Sequence, residues 1–85
     1  MNWKVTHITV ARSYTSMQWE REIEGSVQRL HVMVWNTYEM DLVAEETWNG
    51  VHNYREIRGH MRGYISTNDE ITHFFKRAMM KGDVK

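Results

Sequence analysis

Alternation of hydrophobic and polar residues is strongest on both sides of one glycine-serine pair, Gly25-Ser26. Such alternation is typical of β-strands with one buried face, and a glycine-containing pair between two such segments is typical of a two-residue hairpin turn. The pattern therefore predicts antiparallel strands at about 16–24 and 27–36. A one-residue slip would turn the apolar side chains of one strand towards water, so the pattern also specifies which residues share a face.

This turn sets Trp19 opposite Val32 and divides the side chains of the hairpin between two faces. One face is apolar and collects Met17, Trp19, Ile23, Leu30, Val32 and Val34. On the other face the register places acidic residues opposite basic ones, an arrangement that stabilises neighbouring strands, in the pairs Glu22–Arg29 and Glu20–His31.

A further strand is predicted at 3–12, where β-branched residues alternate with polar ones, followed by a turn at Tyr14-Thr15. Regular alternation adds Ile8 and Val10 to the apolar face. The reverse face then shows a mixed set of aromatic, aliphatic and histidine side chains: Trp3, Val5, His7, Val27, His31, Met33 and Trp35. For residues 16–24 a helix is the alternative to the strand of the central hairpin. We favour the strand, because two alternating segments that match across a turn are less expected by chance than a helical spacing of apolar residues.

The middle of the chain fits two interpretations. Asn49-Gly50 is a strong hairpin signal and favours a strand at 40–48 before it. A short helix at 54–62 is predicted after it from helix-capping residues, although Gly59 would cost such a helix about 1 kcal/mol relative to Ala. The alternative is that the same residues continue the sheet as another strand.

The clearest helix is predicted at 68–81. Thr67 and Glu70 form a capping box at its start, and an apolar stripe follows at helical spacing: Ile71, Phe74, Phe75, Ala78 and Met79. We expect this stripe to pack on the apolar face of the sheet, over Ile8, Trp19, Leu30 and Val32. The predicted fold is a single small α+β domain over residues 1–85, in which an antiparallel sheet of three to four strands is packed by a C-terminal amphipathic helix.

Composition limits the classes of protein to which the chain can belong. The 85 residues include no cysteine, which excludes disulfides and thiolate metal or redox sites. Eleven basic and eleven acidic side chains cancel, which argues against a highly basic nucleic-acid binder and against an acidic mimic of DNA. The N-terminus does not read as a signal peptide and no apolar run is long enough to cross a bilayer, so a cytoplasmic location is expected.

Support for catalysis is weak. His7 and His31 would share the reverse face with Glu20 and Glu22, which are ligand types suited to zinc, and a metal-dependent hydrolase is our third hypothesis. A solvated sheet face of mixed charge is the simpler interpretation, because sharing a face does not bring ligands to bonding distance. No serine lies in a nucleophile elbow and no glycine pattern fits a phosphate loop, so no catalytic residue, metal or cofactor is predicted.

Nucleic-acid binding is the second hypothesis. Arginine binds phosphate through two hydrogen bonds and tyrosine stacks on bases. On the predicted helix Arg55, Arg58 and Arg62 would form one stripe, and the candidate nucleic-acid-binding set adds Tyr54 and Tyr64.

The leading hypothesis is a non-enzymatic protein-binding module. Trp, Met and Arg are enriched at the centres of interfaces, and the reverse face offers Trp3, Met33 and Trp35 as anchors. An acidic segment and a basic segment would orient the partner, through Glu39, Asp41, Glu45, Glu46, Arg55, Arg58 and Arg62. A homodimer through the same face, or burial of that face by residues 40–65, are the other outcomes.

Small cysteine-free chains without a catalytic signature are the form taken by many phage-encoded inhibitors of host machinery, anti-CRISPR proteins among them. This similarity is one of form, and no motif carries it. It implies an inhibitor or adaptor that occupies a surface of a larger host protein or ribonucleoprotein complex.

Overall fold

A computed structural model describes residues 3–60 and 68–81, which form one antiparallel sheet and one helix. The strands are hydrogen-bonded in chain order, so the sheet is an up-and-down meander. The elements are β1 (Lys4–Val10), β2 (Tyr14–Ile23), β3 (Ser26–Trp35), β4 (Glu39–Trp48), β5 (Val51–His60) and α1 (Asn68–Lys81). The helix in this part of the chain is too short and too polar to span a membrane.

The prediction of an α+β domain with three to four strands was wrong. The described chain is mostly sheet, with a fifth strand of 10 residues where a helix at 54–62 was expected. β5 pairs with β4 from Trp48↔Val51 to Glu39↔His60. Cross-strand hydrogen bonds along this whole length outweigh the weak local capping signals, and Gly59 had already lowered the helix propensity.

The β4–β5 connection confirms the hairpin signal at Asn49-Gly50. These two residues have φ of 55° and 78°, so both central turn residues lie in the left-handed region that a type I′ turn requires. Asparagine and glycine adopt this region at least cost. The tight turn sends the chain straight back along β4, and β5 is an edge strand because β4 is its only neighbour among the described strands.

The β2–β3 turn lies one residue earlier than predicted, at Glu24-Gly25, where φ is 50° and 80°. Trp19 is therefore opposite Leu30 and not Val32. The pairing differs from the predicted one by two residues, and an even shift leaves every side chain on its predicted face. The apolar grouping of this hairpin is confirmed although its register was wrong.

A β-bulge in β1 reverses the faces of the first residues. The register with β2 shifts between Val5 and His7, so that Val5 lies opposite Trp19 and Ile8 opposite Met17. The extra residue at the bulge breaks the simple alternation. As a result, Trp3 and Val5 lie on the helix side of the sheet, and their prediction on the reverse face was wrong.

The core lies between α1 and the sheet, where the helix packs mainly on β4 and β5. Its buried apolar residues are Trp3, Trp19, Leu30, Val32, Met40, Leu42, Ala44, Ile57, Ile71, Phe75 and Ala78. The expected packing over Trp19, Leu30 and Val32 is found. Ile8, by contrast, stays 59% exposed because the helix does not cover β1. Thr67 of the predicted capping box lies outside the described residues.

A polar network closes one end of this core. Glu46 accepts hydrogen bonds from Ser26 Oγ at 3.0 Å and from Gln28 Nε2 at 2.7 Å, and Arg21 Nε donates to Gln28 Oε1 at 2.7 Å. The Arg21 guanidinium lies 4.4 Å from the centre of the Trp3 ring, within cation–π distance. Burial lowers the pKa of the Arg21 guanidinium, and the charge of Glu46 opposes that shift.

Candidate functional site

The face of the sheet that points away from α1, here called the open face, is the candidate surface for binding. No element among residues 3–60 and 68–81 packs on it, because α1 lies on the other side. Its side chains alternate along each strand with those of the core. The register aligns them in rows across the sheet, for example Lys4–Glu20–Arg29–Glu45–Tyr54.

Aromatic residues cluster at one end of the open face. The rings of Tyr14 and Trp35 have centroids 5.3 Å apart and an interplanar angle of 54°. Tyr38, in the β3–β4 turn, is 50% exposed, and Asn36 N donates to Ser13 O at 2.9 Å, which ties the two loops together. We call Tyr14 and Trp35 the aromatic end.

Of the three predicted anchors, two lie on the open face. Trp35 is 37% exposed, and Met33 is half-buried in the adjacent row of β3. Trp3 is only 6% exposed and belongs to the core, so its prediction as a surface anchor was wrong. A partner can therefore contact Met33 and Trp35 without disturbing the fold, whereas contact with Trp3 would require opening the core.

Salt bridges join neighbouring strands across the open face. Arg29 Nε lies 2.5 Å from Glu20 Oε2, and Arg58 Nε lies 3.3 Å from Asp41 Oδ1. His52 Nε2 lies 3.4 Å from Glu45 Oε1, a contact that is a salt bridge only when the imidazole is protonated. The predicted pairs Glu22–Arg29 and Glu20–His31 are replaced because of the two-residue change in register. Partly exposed pairs of this kind stabilise a protein by about 1 kcal/mol or less each, so they remain available to exchange partners.

The open face carries an excess of negative charge. Its carboxylates are Glu20, Glu22, Glu39, Asp41, Glu45 and Glu56, and its basic residues are Lys4, Arg29 and Arg58. Six carboxylates against three cations leave a net charge of −3 with histidine neutral, in a chain whose total is zero. The net charge of the whole chain, which is zero, therefore gives no indication of the negative charge on the open face.

The predicted acidic segment is divided between the two faces. Glu39, Asp41 and Glu45 lie on the open face, because they occupy alternate positions of β4. Glu46 points to the other side and is part of the Ser26–Gln28 network. Glu46 is therefore separated from the other three carboxylates of the predicted segment, and its role in partner binding stays a prediction.

The predicted arginine stripe does not form among the described arginines. Arg55 is opposite Ala44 on the helix side, and Arg58 is opposite Asp41 on the open face. A strand places residues three positions apart on opposite faces, whereas a helix would have placed them together. Tyr54 shares the open face with Arg58, and the predicted positions Arg62 and Tyr64 lie outside the described residues.

The histidines do not assemble a metal site. His7 and His31 lie in one row with Gln18 between them, two strand spacings or roughly 10 Å apart. No group of three or more His, Asp or Glu in residues 3–60 and 68–81 is arranged to hold a metal ion. Four histidines nevertheless lie on this face, namely His7, His31, His52 and His60.

One serine and one histidine are in hydrogen-bond contact. Ser16 Oγ lies 2.7 Å from His31 Nε2, on adjacent strands of the open face. A nucleophilic serine also needs a group that orients the histidine and donors for an oxyanion. Within the described chain no carboxylate bonds the other ring nitrogen of His31, so the contact is a cross-strand hydrogen bond without the other parts of a catalytic site.

Sequence reasoning missed Tyr14 of the aromatic end and the exposed Tyr38 in the β3–β4 turn. Tyr14 was placed in a turn, although it continues the alternation of β2 two residues before Ser16, and that alternation was the available signal. Tyr38 has a φ of 65° in a turn, and no pattern in the sequence indicates this. In comparisons with known proteins, no protein-family model, no curated protein and no solved structure matches the chain.

Proposed function

We propose that the protein is a non-enzymatic binding module whose open face occupies a basic surface of a larger protein. The observation that carries the proposal is the combination of the aromatic end with an excess of carboxylates on one sheet face, on which no described element packs. Either feature alone is common on protein surfaces. Together they match the usual anatomy of an interface, with aromatic anchors surrounded by charges.

The aromatic end would supply most of the binding energy. Trp and Tyr are the residue types most enriched among interface residues whose truncation weakens binding strongly. The ring of Trp35 already packs against Tyr14, so little side-chain freedom is lost when a partner covers it. Met33, in the next row, adds a flexible apolar surface that adapts to the partner.

The carboxylates would select the partner by its charge. A face with a net charge of −3 attracts a basic surface and repels an acidic one. Charge also accelerates the encounter, because long-range attraction steers diffusion at low salt. This argues against nucleic acid as the ligand of the open face, since its phosphates would meet the carboxylates.

The experiment compares capture by the wild-type protein with capture by two tryptophan variants. Immobilised protein is exposed to a cell extract, retained proteins are identified by mass spectrometry, and binding of the purified partner is measured by calorimetry. Trp35→Ala removes an anchor of the open face. Trp48→Ala is the matched control, because Trp48 is 55% exposed on the other side of the sheet at the end of β4.

The proposal expects a basic partner whose affinity falls at least tenfold with Trp35→Ala and stays unchanged with Trp48→Ala. Thermal melting of both variants shows that the fold is retained. Equal loss with both variants, or a partner that tolerates Trp35→Ala, would contradict it. So would an extract from which nothing is retained by the wild-type protein above the level of a protein-free matrix.

A further inference from the structure

The two edge strands of the sheet differ in how they are protected. β5 carries Arg55, Glu56 and Arg58, charges of the kind that prevent one sheet edge from pairing with another. β1 has no formally charged residue from Val5 to Val10, and most of its residues are β-branched. Every residue of β1 is exposed. Among residues 3–60 and 68–81, nothing pairs with the β1 edge and no charge blocks it from Val5 to Val10, whereas the β5 edge carries charges.

The backbone groups of β1 that have no hydrogen-bond partner in the described part of the chain belong to Ile8 and Val10. Ala11 N donates to Tyr14 O at 2.9 Å, so Ala11 and Tyr14 form a hydrogen-bonded pair. Hydrogen-bonded and non-hydrogen-bonded pairs alternate along an antiparallel ladder. Thr9 is therefore bonded to β2, whereas the N–H and C=O groups of Ile8 and Val10 point away from the sheet.

The same two residues carry exposed apolar side chains. Ile8 is 59% exposed and Val10 is 76% exposed, on the helix side of the sheet but beyond the cover of α1. Val5, at 48%, continues this surface. Backbone groups and apolar side chains that both lack a partner within the described chain thus occur at the same positions.

We propose that β1 pairs with β1 of a second copy of this chain, in antiparallel register about a two-fold axis beside Thr9. In this register Ile8 of each copy lies opposite Val10 of the other, and the two residues exchange both of their backbone hydrogen bonds. Two-fold symmetry produces two such Ile8–Val10 pairs, each with two hydrogen bonds, so four backbone hydrogen bonds join the copies. Two five-stranded sheets become one continuous sheet of ten strands.

A second copy fits this edge better than an unrelated strand because the edge is complementary to itself. On the helix side the two-fold register sets Ile8 against Val10 twice, apolar against apolar. On the open face Thr9 meets Thr9, a pair that stabilises neighbouring strands. No charge opposes its own copy in this segment.

Other features limit the pairing to this edge. The bulge between Val5 and His7 ends the regular ladder on one side, and the β1–β2 turn ends it on the other. Packing of two copies through their helix sides is disfavoured, because the outer surface of α1 exposes Asp69, Lys76 and Arg77. A contact this short buries less than a standard interface, so the dimer is reversible and forms at high protein concentration.

The inference does not depend on the proposed function, since the test measures self-association without any other protein. Sedimentation velocity over a wide concentration range gives the oligomeric state of the wild-type protein and of two variants. Thr9→Lys sets two ammonium groups opposite each other across the axis. Ser13→Lys adds the same charge in an exposed turn outside the paired edge.

A cysteine variant tests the register directly. The chain has no cysteine, so Thr9→Cys introduces a single thiol. Residues opposite each other in a non-hydrogen-bonded pair have Cα atoms about 4.5 Å apart, which a disulfide can bridge. Oxidised glutathione should link Thr9→Cys into a covalent dimer and should link Ser13→Cys far less efficiently.

The expected result is a concentration-dependent dimer for the wild type and Ser13→Lys, at least a tenfold weaker dimer for Thr9→Lys, and efficient linkage of Thr9→Cys. Circular dichroism and thermal melting check that each variant is folded. A wild-type protein that stays monomeric up to the millimolar range would overturn the proposal. A dimer that survives Thr9→Lys, or equal linkage of the two cysteine variants, would overturn it as well.

Discussion

The indole N–H of Trp3 donates a hydrogen bond of 3.0 Å to the hydroxyl of Thr72, which joins the residue before β1 to α1 across 69 positions of the chain. The same indole ring has its centroid 5.4 Å from that of Phe75. Because α1 packs mainly on β4 and β5, Trp3 contacts the helix from the opposite edge of the sheet. It connects both ends of the meander through the core.

Replacing Trp3 should therefore be among the most destabilising single changes. Trp3→Ala removes a buried ring and leaves a cavity against Phe75, so we expect the free energy of unfolding to fall by about 3–5 kcal/mol. Thr72→Val keeps the shape and removes only the hydroxyl, with an expected loss of about 1 kcal/mol. Urea denaturation of both variants measures the difference, and a loss below about 1 kcal/mol for Trp3→Ala would contradict the placement of the ring in the core.

The β2–β3 turn offers a stabilising substitution. Glu24 has a φ of 50°, a conformation that is unfavourable for most L-residues and easier for asparagine. Glu24→Asn creates the Asn-Gly pair that a type I′ turn prefers, and we expect it to raise the free energy of unfolding by about 0.5 kcal/mol or more.

The control for this turn is Glu22→Asn, which removes the same charge at an exposed strand position. Because asparagine is disfavoured in strands, that variant should be no more stable than the wild type. Equal melting temperatures for the two variants would show that backbone strain at Glu24 does not limit stability.

Two adjacent glutamates should respond very differently to substitution. Glu46→Ala leaves the buried Ser26 and Gln28 without their acceptor, for which we expect a loss of about 1–3 kcal/mol. Glu45→Ala breaks only a surface contact with His52, and we expect a loss of about 1 kcal/mol or less. Chemical denaturation gives both values, and a smaller effect for Glu46→Ala than for Glu45→Ala would be inconsistent with the network.

Charge reversal on the open face should slow binding of the proposed basic partner. Glu45→Lys is expected to lower the association rate several-fold at low salt, with a smaller effect at high salt, where screening shortens the range of charges. Glu24→Lys makes the same change in an exposed turn at the end of the sheet and should have a smaller effect. Stopped-flow or surface-plasmon resonance measurements compare the association rates of the two variants. Equal effects of both substitutions would argue against electrostatic steering by the open face.

Much of the sheet could be predicted, because alternation and turn signals are local properties. The two faces of the β2–β3 hairpin were predicted correctly although the turn was placed one residue too late. The resulting error in strand pairing is two residues, and an even shift leaves each side chain on the same face. The bulge at Val5/His7 could not be predicted, because it depends on how β1 fits against β2 and leaves no pattern in the sequence. That single residue moved Trp3 from the candidate site into the core.

The fifth strand and the arginines of the candidate site were also mispredicted because local signals do not include the pairing between strands. Near Gly59 the residues carry weak signals for a helix, and only the pairing with β4 decides in favour of a strand. The arginine stripe depended on that helix, so Arg55 and Arg58 separated when it became a strand. Met33 and Trp35 were placed correctly, because they lie in the hairpin where alternation is strongest.

The connectivity of the meander has a consequence for how the chain folds. Each strand bonds to the strand next to it in sequence, so most ladders form by closing short loops, which costs little chain entropy. Proteins with low contact order fold faster than other β-proteins of similar size. Trp3 and α1 are separated by nearly the whole length of the chain. We therefore expect their contact to form last, after the hairpins of the sheet have formed one after another.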